Sequence, residues 1–264
     1  MVRILVSGGT GSLGSAVVSI LKNTENRVRV LSRKSMASGT DSSVEWVQGD
    51  IATGIGLVEA LAKVDVVVNF TGNAQDVYET DVLGVKRLAE MAKQAGVKHF
   101  FHISIVGIEH IDLNYYRYKV SAEKAIIESG VPYSIQRVTQ FHTLLGFILS
   151  QMQSSPQGFE LPIAADAQFQ LIDTHDAAQY IFPLFLAEPS GKLPDVGGPE
   201  ILRVEDIARI YLNQQGITNP IFTDAPKSFF PPAAVEGFRH GFNTVPNNRY
   251  GSITWADYVR NKFL

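Results

Sequence analysis

Apolar positions in the first half of the chain fall in short unbroken runs, and polar positions gather between them. The runs at 2–6, 27–31, 44–47, 64–70, 98–104 and 133–138 have the length of strands. Segments such as VDVVVNF are apolar on both faces, as a parallel strand buried between two helix layers must be. Between them, apolar residues recur at helical spacing over 12–21, 56–61, 77–95 and 115–129. Strands alternating with helices predict an α/β fold with a doubly wound parallel sheet of Rossmann type.

The second half reads differently. Helical patterns at 176–186 and 204–212 are separated by Pro- and Gly-rich loops such as EPSGKLPDVGGPE. After Pro226 the chain is irregular (SFFPPAA, NTVPNN) until a final helix-like WADYVRNKFL. No repeat or low-complexity linker marks a boundary. The expectation is one Rossmann-type domain over residues 1–264, with a small substrate lobe built mainly from about 140–170 and 200–264.

The first strand ends in SGGTGSLGSAVV, which places Gly8, Gly11 and Gly14 in a G-x-x-G-x-x-G spacing just before an apolar-periodic helix. Glycine permits the tight strand-to-helix turn, lets a pyrophosphate approach the backbone, and lets helix and sheet pack closely. Free N–H groups at the helix start then meet the phosphate charge. Such glycines also make ordinary turns, but the strand–loop–helix context is the one dinucleotide binding demands.

The end of the second strand bears on which dinucleotide. An NAD site of this kind carries an acidic residue about 20 residues on, to hold the ribose 2′-hydroxyl. Here the chain reads VRVLSRK. Ser32, Arg33 and Lys34 offer a hydroxyl and cations suited to a 2′-phosphate, which favours NADP(H) over NAD(H), the alternative being a solvated basic loop.

In NYYRYK, Tyr115 precedes Lys119 by one helical turn, so the two share a face. Such a pair can act as one unit, the ammonium favouring ionisation of a phenol that donates a proton to a carbonyl. Taken alone, the stretch reads as one face of an amphipathic helix. Ser104 closes the fifth strand, at the carboxyl end where α/β sheets bind ligands.

Composition narrows the classes further. With 264 residues, 45% hydrophobic and 19% charged, the chain is globular and long enough for a large core. A net charge of −3 supplies no basic field, so no nucleic-acid partner is expected. Without cysteine there are no disulfides, thiolate nucleophiles or thiolate metal sites, and the six histidines show no metal-ligand spacing. The N-terminus enters a strand directly with no signal-peptide pattern, and no apolar run has the length of a membrane span. A cytoplasmic protein acting on a small molecule is expected, with no membrane partner. The sequon Asn69-Phe70-Thr71 sits in an apolar strand pattern and is read as chance. His142, just after the sixth strand, is the one histidine placed to line a substrate pocket, packing being the alternative. Asp173 and Asp176 read as loop and helix-start residues. Phe229, Phe230, Phe238 and Phe242 read as core or as the wall of an apolar pocket.

Linked together, SGGTGSLG, LSRK, WVQGD, VNFTG, AKQAGVKHFFHIS, YYRYKVSAEKAIIESGVPYSIQRVTQFH and VGGPEILRVEDIARIY give the chain a resemblance over most of residues 2–212. It resembles the short-chain dehydrogenase/reductase superfamily and, within it, the atypical NmrA-like NAD(P)H-binding branch. The resemblance implies that Gly8, Gly11 and Gly14 line the pyrophosphate with Thr10, Ser12 and Leu13 alongside. It implies Ser32, Arg33 and Lys34 at the adenosine ribose phosphate, Asp50 and Ile51 flanking adenine, and Phe70, Thr71 and Gly72 along the cofactor. Ser104, Tyr115 and Lys119 match the family's catalytic serine, tyrosine and lysine, with Lys119 also on the nicotinamide ribose. Thr139, Gln140 and Phe141 would lie near the nicotinamide. One departure is Asp81, which stands where extended relatives carry the asparagine of a proton relay. The implied activity is NADPH-dependent reduction of a small apolar quinone, enone or carbonyl compound. The alternatives are a non-catalytic NADP(H) sensor acting through a protein partner, and an NAD-dependent nucleotide-sugar epimerase or dehydratase.

Overall fold

The computed structural model describes residues 1–34, 43–72 and 76–263, and the chain divides into two compact units. The first comprises Met1–Ser104, Arg117–Arg137 and Ala177–Pro194. The apolar runs become strands as their composition requires: β1 (Arg3–Ser7), β2 (Arg27–Ser32), β3 (Val44–Gln48), β4 (Val66–Asn69), β5 (His99–Ile105) and β6 (Tyr133–Val138). The helices between them are α1 (Ser12–Leu21), α2 (Leu57–Leu61), α3 (Val85–Gln94) and α4 (Asn114–Ser129).

A seventh short strand closes the sheet, whose order is Gly191–Lys192, β6, β5, β4, β1, β2, β3. β1 pairs in parallel with both β2 and β4. From β1 the chain winds outward through β2 and β3, then returns to the other side of β1 as β4. The carboxyl ends of β1 and β4 therefore flank a topological switch point, where open α/β sheets bind ligands. One core runs through this unit, joining Leu5, Val67 and Phe100 of the sheet to Leu57, Leu88 and Ile126 of the helices. Full burial of each such side chain contributes about 1.5–3 kcal/mol.

One feature departs from the expected elements. The run at 77–95 is not one helix, because Tyr78–Gly84 winds as a π-helix before α3 begins. In keeping with a chance sequon, Asn69 is fully buried in β4 and hydrogen-bonded to His102.

The second unit comprises Ile105–Tyr116, Val138–Asp176 and Asp195–Leu264, so the expected lobe segments fall within it together with Ile105–Tyr116. After β6 come α5 (His142–Leu149), β7 (Gln153–Ser155), β8 (Gly158–Leu161), β9 (Gln168–Leu171) and α6 (Thr174–Leu186). The Gly191–Lys192 strand is β10, followed by β11 (Glu200–Arg203), α7 (Val204–Asn213), β12 (Phe222–Asp224), α8 (Pro232–Arg239) and α9 (Trp255–Phe263). β9 and β11 form an antiparallel ribbon, and β12, β8 and β7 a three-stranded sheet. Phe238 packs on Phe169 at 4.9 Å between ring centroids, and the Trp255 indole donates to Ile207 O at 2.9 Å. Of the four phenylalanines weighed from sequence, Phe238 is core, while Phe229 and Phe242 are 45% exposed. Asp176 accepts from Ser252 N and Ile253 N, which fixes the entry to α9.

Among the described residues, no helix is long and apolar enough to cross a membrane.

Candidate functional site

A cleft of about 210 Å³ opens in the first unit at the carboxyl ends of β1 to β4. Its floor is the glycine loop. Gly8 takes a φ of +80°, and a methyl group there would lie 2.7 Å from Phe70 C. Gly14 is needed for another reason: a methyl on it would sit 2.1 Å from Gly8 O and 2.7 Å from Gly9 Cα, so α1 approaches the loop only because that side chain is absent. Gly11 is the N-cap of α1 and supplies no side-chain cap. The first N–H groups of the helix are thus left for an external acceptor, as anion binding requires.

The remaining walls come from three strand ends. Ser32 and Arg33 follow from β2, Asp50 and Ile51 from the turn after β3, and Phe70, Thr71 and Gly72 from β4. Ser32 Oγ accepts from Lys34 N at 3.2 Å, which leaves its own proton to donate outward. Arg33 is exposed, and Lys34, also exposed, is not part of the lining. Asp50 Oδ1 accepts from Ala52 N at 2.9 Å, and Arg87 donates to Ile51 O and so pins this turn from α3. Thr71 Oγ1 and Ser7 Oγ share a 2.6 Å hydrogen bond that joins the ends of β4 and β1.

Ten of the residues expected at the cofactor therefore line one cleft: Gly8, Thr10, Gly11, Ser32, Arg33, Asp50, Ile51, Phe70, Thr71 and Gly72. Ser12, Leu13 and Gly14 form the start of α1 behind the loop. Thr139, Gln140 and Phe141 belong to the second unit, where Thr139 Oγ1 accepts from Gly198 N and Gln140 Nε2 donates to the Tyr116 hydroxyl at 2.6 Å. Sequence reasoning missed Ser7, Leu31, Gly49 and Thr80 as lining residues. Thr80 lies on the π-helix, for which the sequence carries no signal.

The expected catalytic residues lie on β5 and α4. Tyr115 is in the first turn of α4, half-buried, and Lys119 follows one turn later, buried. Lys119 Nζ lies 3.4 Å from Asp81 Oδ1. Tyr116, beside the tyrosine of interest, is buried, and burial pushes its phenol well above the ordinary range. Ser104 departs from expectation. Its hydroxyl donates to Glu123 Oε1 at 2.5 Å, and it is fully enclosed rather than turned to the cleft. The same carboxylate takes Arg137 at 2.7 and 2.8 Å and Lys192 at 3.2 Å. Burial raises the Glu123 carboxyl, but the bonds from Arg137, Ser104 and Lys192 bring it net below its ordinary value.

His142 is likewise enclosed. Nδ1 lies 3.5 Å from Asp173 Oδ2, and the ring sits 5.1 Å from Tyr258 and 5.8 Å from Trp255. At 1% exposure it is a packing residue of the second unit, not a pocket wall. Among the described residues, no cluster of three metal-ligating side chains occurs.

The glycine cradle, the uncapped α1 terminus and the cationic end of β2 fit a dinucleotide phosphate. The profile of the NmrA-like family matches residues 2–220. A (4-alkanoyl-5-oxo-2,5-dihydrofuran-3-yl)methyl phosphate reductase of Streptomyces griseus subsp. griseus is 30% identical over 207 residues, which is 77% of this chain and 70% of that protein. In fold, the chain is similar to a nucleoside-diphosphate-sugar epimerase of Staphylococcus aureus, with a TM-score of 0.76 at 18% identity over 98% of this chain and 99% of the other. It is also similar in fold to the Bordetella bronchiseptica enzyme WbmG in complex with NAD, with a TM-score of 0.71 at 17% identity over 99% and 93% of the two chains.

Proposed function

The chain belongs to the NmrA-like family, and on that premise we propose that it is an NADPH-dependent reductase of a small apolar quinone, enone or carbonyl compound. The observation that carries the reading is the cleft at the switch point, with a glycine floor in which Gly8 has no room for a methyl, an uncapped helix start and Arg33 where an NAD site would carry an acid. The likeness to a reductase at 30% identity supports oxidoreductase chemistry.

In this reading the N–H groups of Ser12 and Leu13 hold the pyrophosphate, and Ser32 and Arg33 hold the 2′-phosphate. NADPH, when bound, supplies a hydride to the acceptor. Lys119 holds the ribose nearest the reacting end. Tyr115, one turn earlier on the same helix, donates the proton that the reduced oxygen needs. Ser104 acts through Glu123, as a strut between β5 and α4, and orients no substrate oxygen.

The test is NADPH oxidation, followed by absorbance, against a set of small quinones, enones and ketones. Turnover of at least one class is expected. Tyr115→Phe should lower ketone reduction by about 100-fold, since general acid catalysis contributes roughly 10²–10⁴-fold. A quinone, which accepts hydride readily, should lose less. Tyr116→Phe serves as the control, because that hydroxyl is held by Gln140, and should leave kcat unchanged. A wild-type enzyme that binds NADPH yet turns over no acceptor would refute the reading.

A further inference from the structure

Lys119 is the cation that the proposed function places on the cofactor ribose, and the role inferred for Asp81, its ion-pair partner, rests on that reading. The ammonium does not face solvent. Lys119 is 4% exposed, and Asp81 has no exposed surface at all. Lys119 comes from α4 and Asp81 from the π-helix, so the pair ties two elements of the first unit together.

Asp81 also lies against the cleft. A methyl group added at Gly72 would be 3.7 Å from Asp81 Oδ1, the same oxygen that faces Lys119. Gly72 and Thr80, the residue just before Asp81, both line the cleft. The carboxylate therefore stands directly behind the cleft wall. Residue 80 lines the cleft and residue 81 meets the lysine, an arrangement made by a π-helix of the kind found often at functional sites.

His102, buried near Lys119, brings no charge of its own. Asn69 Oδ1 accepts from Thr71 N, so its amide donates to His102 Nδ1 at 3.1 Å and fixes the Nε2–H tautomer. Burial, with the nearby Lys119 charge, holds that imidazole neutral. A buried carboxylate is costly unless paired, and an amide would fill the same space without a counter-ion. An acid at position 81 supplies the buried Lys119 ammonium with a counter-ion.

We propose that Asp81 is a positioning residue whose carboxylate fixes Lys119 Nζ behind the Gly72–Thr80 wall, and so sets where the lysine meets the cofactor. A double-mutant cycle tests this with Asp81→Asn, Lys119→Met and the two combined, read as the Kd for NADPH by fluorescence titration and as Tm. Asp81→Asn should weaken NADPH about tenfold when Lys119 is present and less than twofold in the Lys119→Met background. The combined variant should melt at or above Asp81→Asn, because removing both partners leaves no unpaired buried charge. A carboxylate with a merely structural role would weaken binding by the same factor in both backgrounds, and that result overturns the inference alone. A wild-type protein that does not bind NADPH overturns the underlying reading and this inference with it. Should Asp81→Asn fail to fold, a folded combined variant supports the pairing and an unfolded one overturns it.

Discussion

Two glycines of the same loop should respond to alanine in opposite ways. At Gly14 the added methyl would meet Gly8 O at 2.1 Å and Gly9 Cα at 2.7 Å, both backbone atoms that no rotamer change can move. Relief requires α1 to back away from the loop by roughly 1 Å, and overpacking of this kind typically costs about 1–3 kcal/mol. With both contacts to backbone, about 3 kcal/mol is the figure expected here, and at about 2–4 °C per kcal/mol for a chain of this size the Tm should fall by roughly 6–12 °C. At Gly11 the nearest atom to an added methyl is Gly8 O at 3.4 Å, an ordinary contact, and φ is −78°. Alanine there restricts the unfolded chain, a gain of about 0.4–1 kcal/mol, but is a poorer N-cap than glycine by a similar amount, so Tm should stay close to wild type.

The ligand should see the reverse. Gly11 is exposed and lines the cleft, so its methyl would stand in the path of the pyrophosphate. Gly11→Ala should weaken NADPH at least tenfold, about 1.4 kcal/mol. Thermal unfolding by circular dichroism and a fluorescence titration on each variant separate the two effects. Wild-type affinity in Gly11→Ala would mean that the cleft is not the phosphate cradle. A wild-type Tm in Gly14→Ala would refute the close approach of α1 to the loop.

Two further predictions concern buried charge. Glu123→Gln should destabilise the protein by about 3–5 kcal/mol in urea unfolding, because it leaves Arg137 enclosed without its carboxylate. The folded-state pKa of Glu123 lies net below the ordinary 4.5, so its contribution is complete above that pH and is lost as pH falls through the folded value. The variant should show a shallower acid limb, and an unchanged limb would contradict the assignment. His102 is held well below its ordinary 6.5 by burial and by the charge of Lys119. Below pH 6.5 the unfolded chain takes up a proton that the folded one refuses, so stability should decline as pH falls from there. His102→Asn should flatten unfolding free energy between about pH 7 and pH 5, and a slope equal to wild type would count against a neutral buried histidine.

What was legible in the sequence depended on the range of each interaction. Segments such as VDVVVNF are apolar on both faces, so a buried parallel strand is their one comfortable state, and β1 to β6 formed where the runs lay. The glycine loop was equally readable, since its work is backbone geometry within a few residues. The small strands β7 to β12 were not, being two to four residues long and, apart from the local β7–β8 hairpin, held by partners distant in sequence. Helix α5, HTLLGFIL, is apolar nearly throughout and shows no helical stripe to read. Ser104 was recognisable as the last polar residue of a strand, but its direction depends on Glu123, nineteen residues on and facing it from a helix. The same holds for His142, whose enclosure depends on Trp255 and Tyr258 from the far end of the chain. The pairing of Asp81 with Lys119 crosses 38 residues and a π-helix, and local spacing carries no trace of it.

The central claim is an NADPH site with Arg33 on the 2′-phosphate. Parallel fluorescence titrations with NADPH and NADH, on wild type and on Arg33→Ala, test it most directly. A charge-assisted hydrogen bond contributes about 1.5–3 kcal/mol, so wild type should prefer NADPH by roughly 10- to 100-fold and Arg33→Ala should lose most of that preference while still binding NADH. Equal affinity for both nucleotides, unchanged by Arg33→Ala, would contradict the NADP(H) assignment, and binding of neither would contradict the dinucleotide site itself.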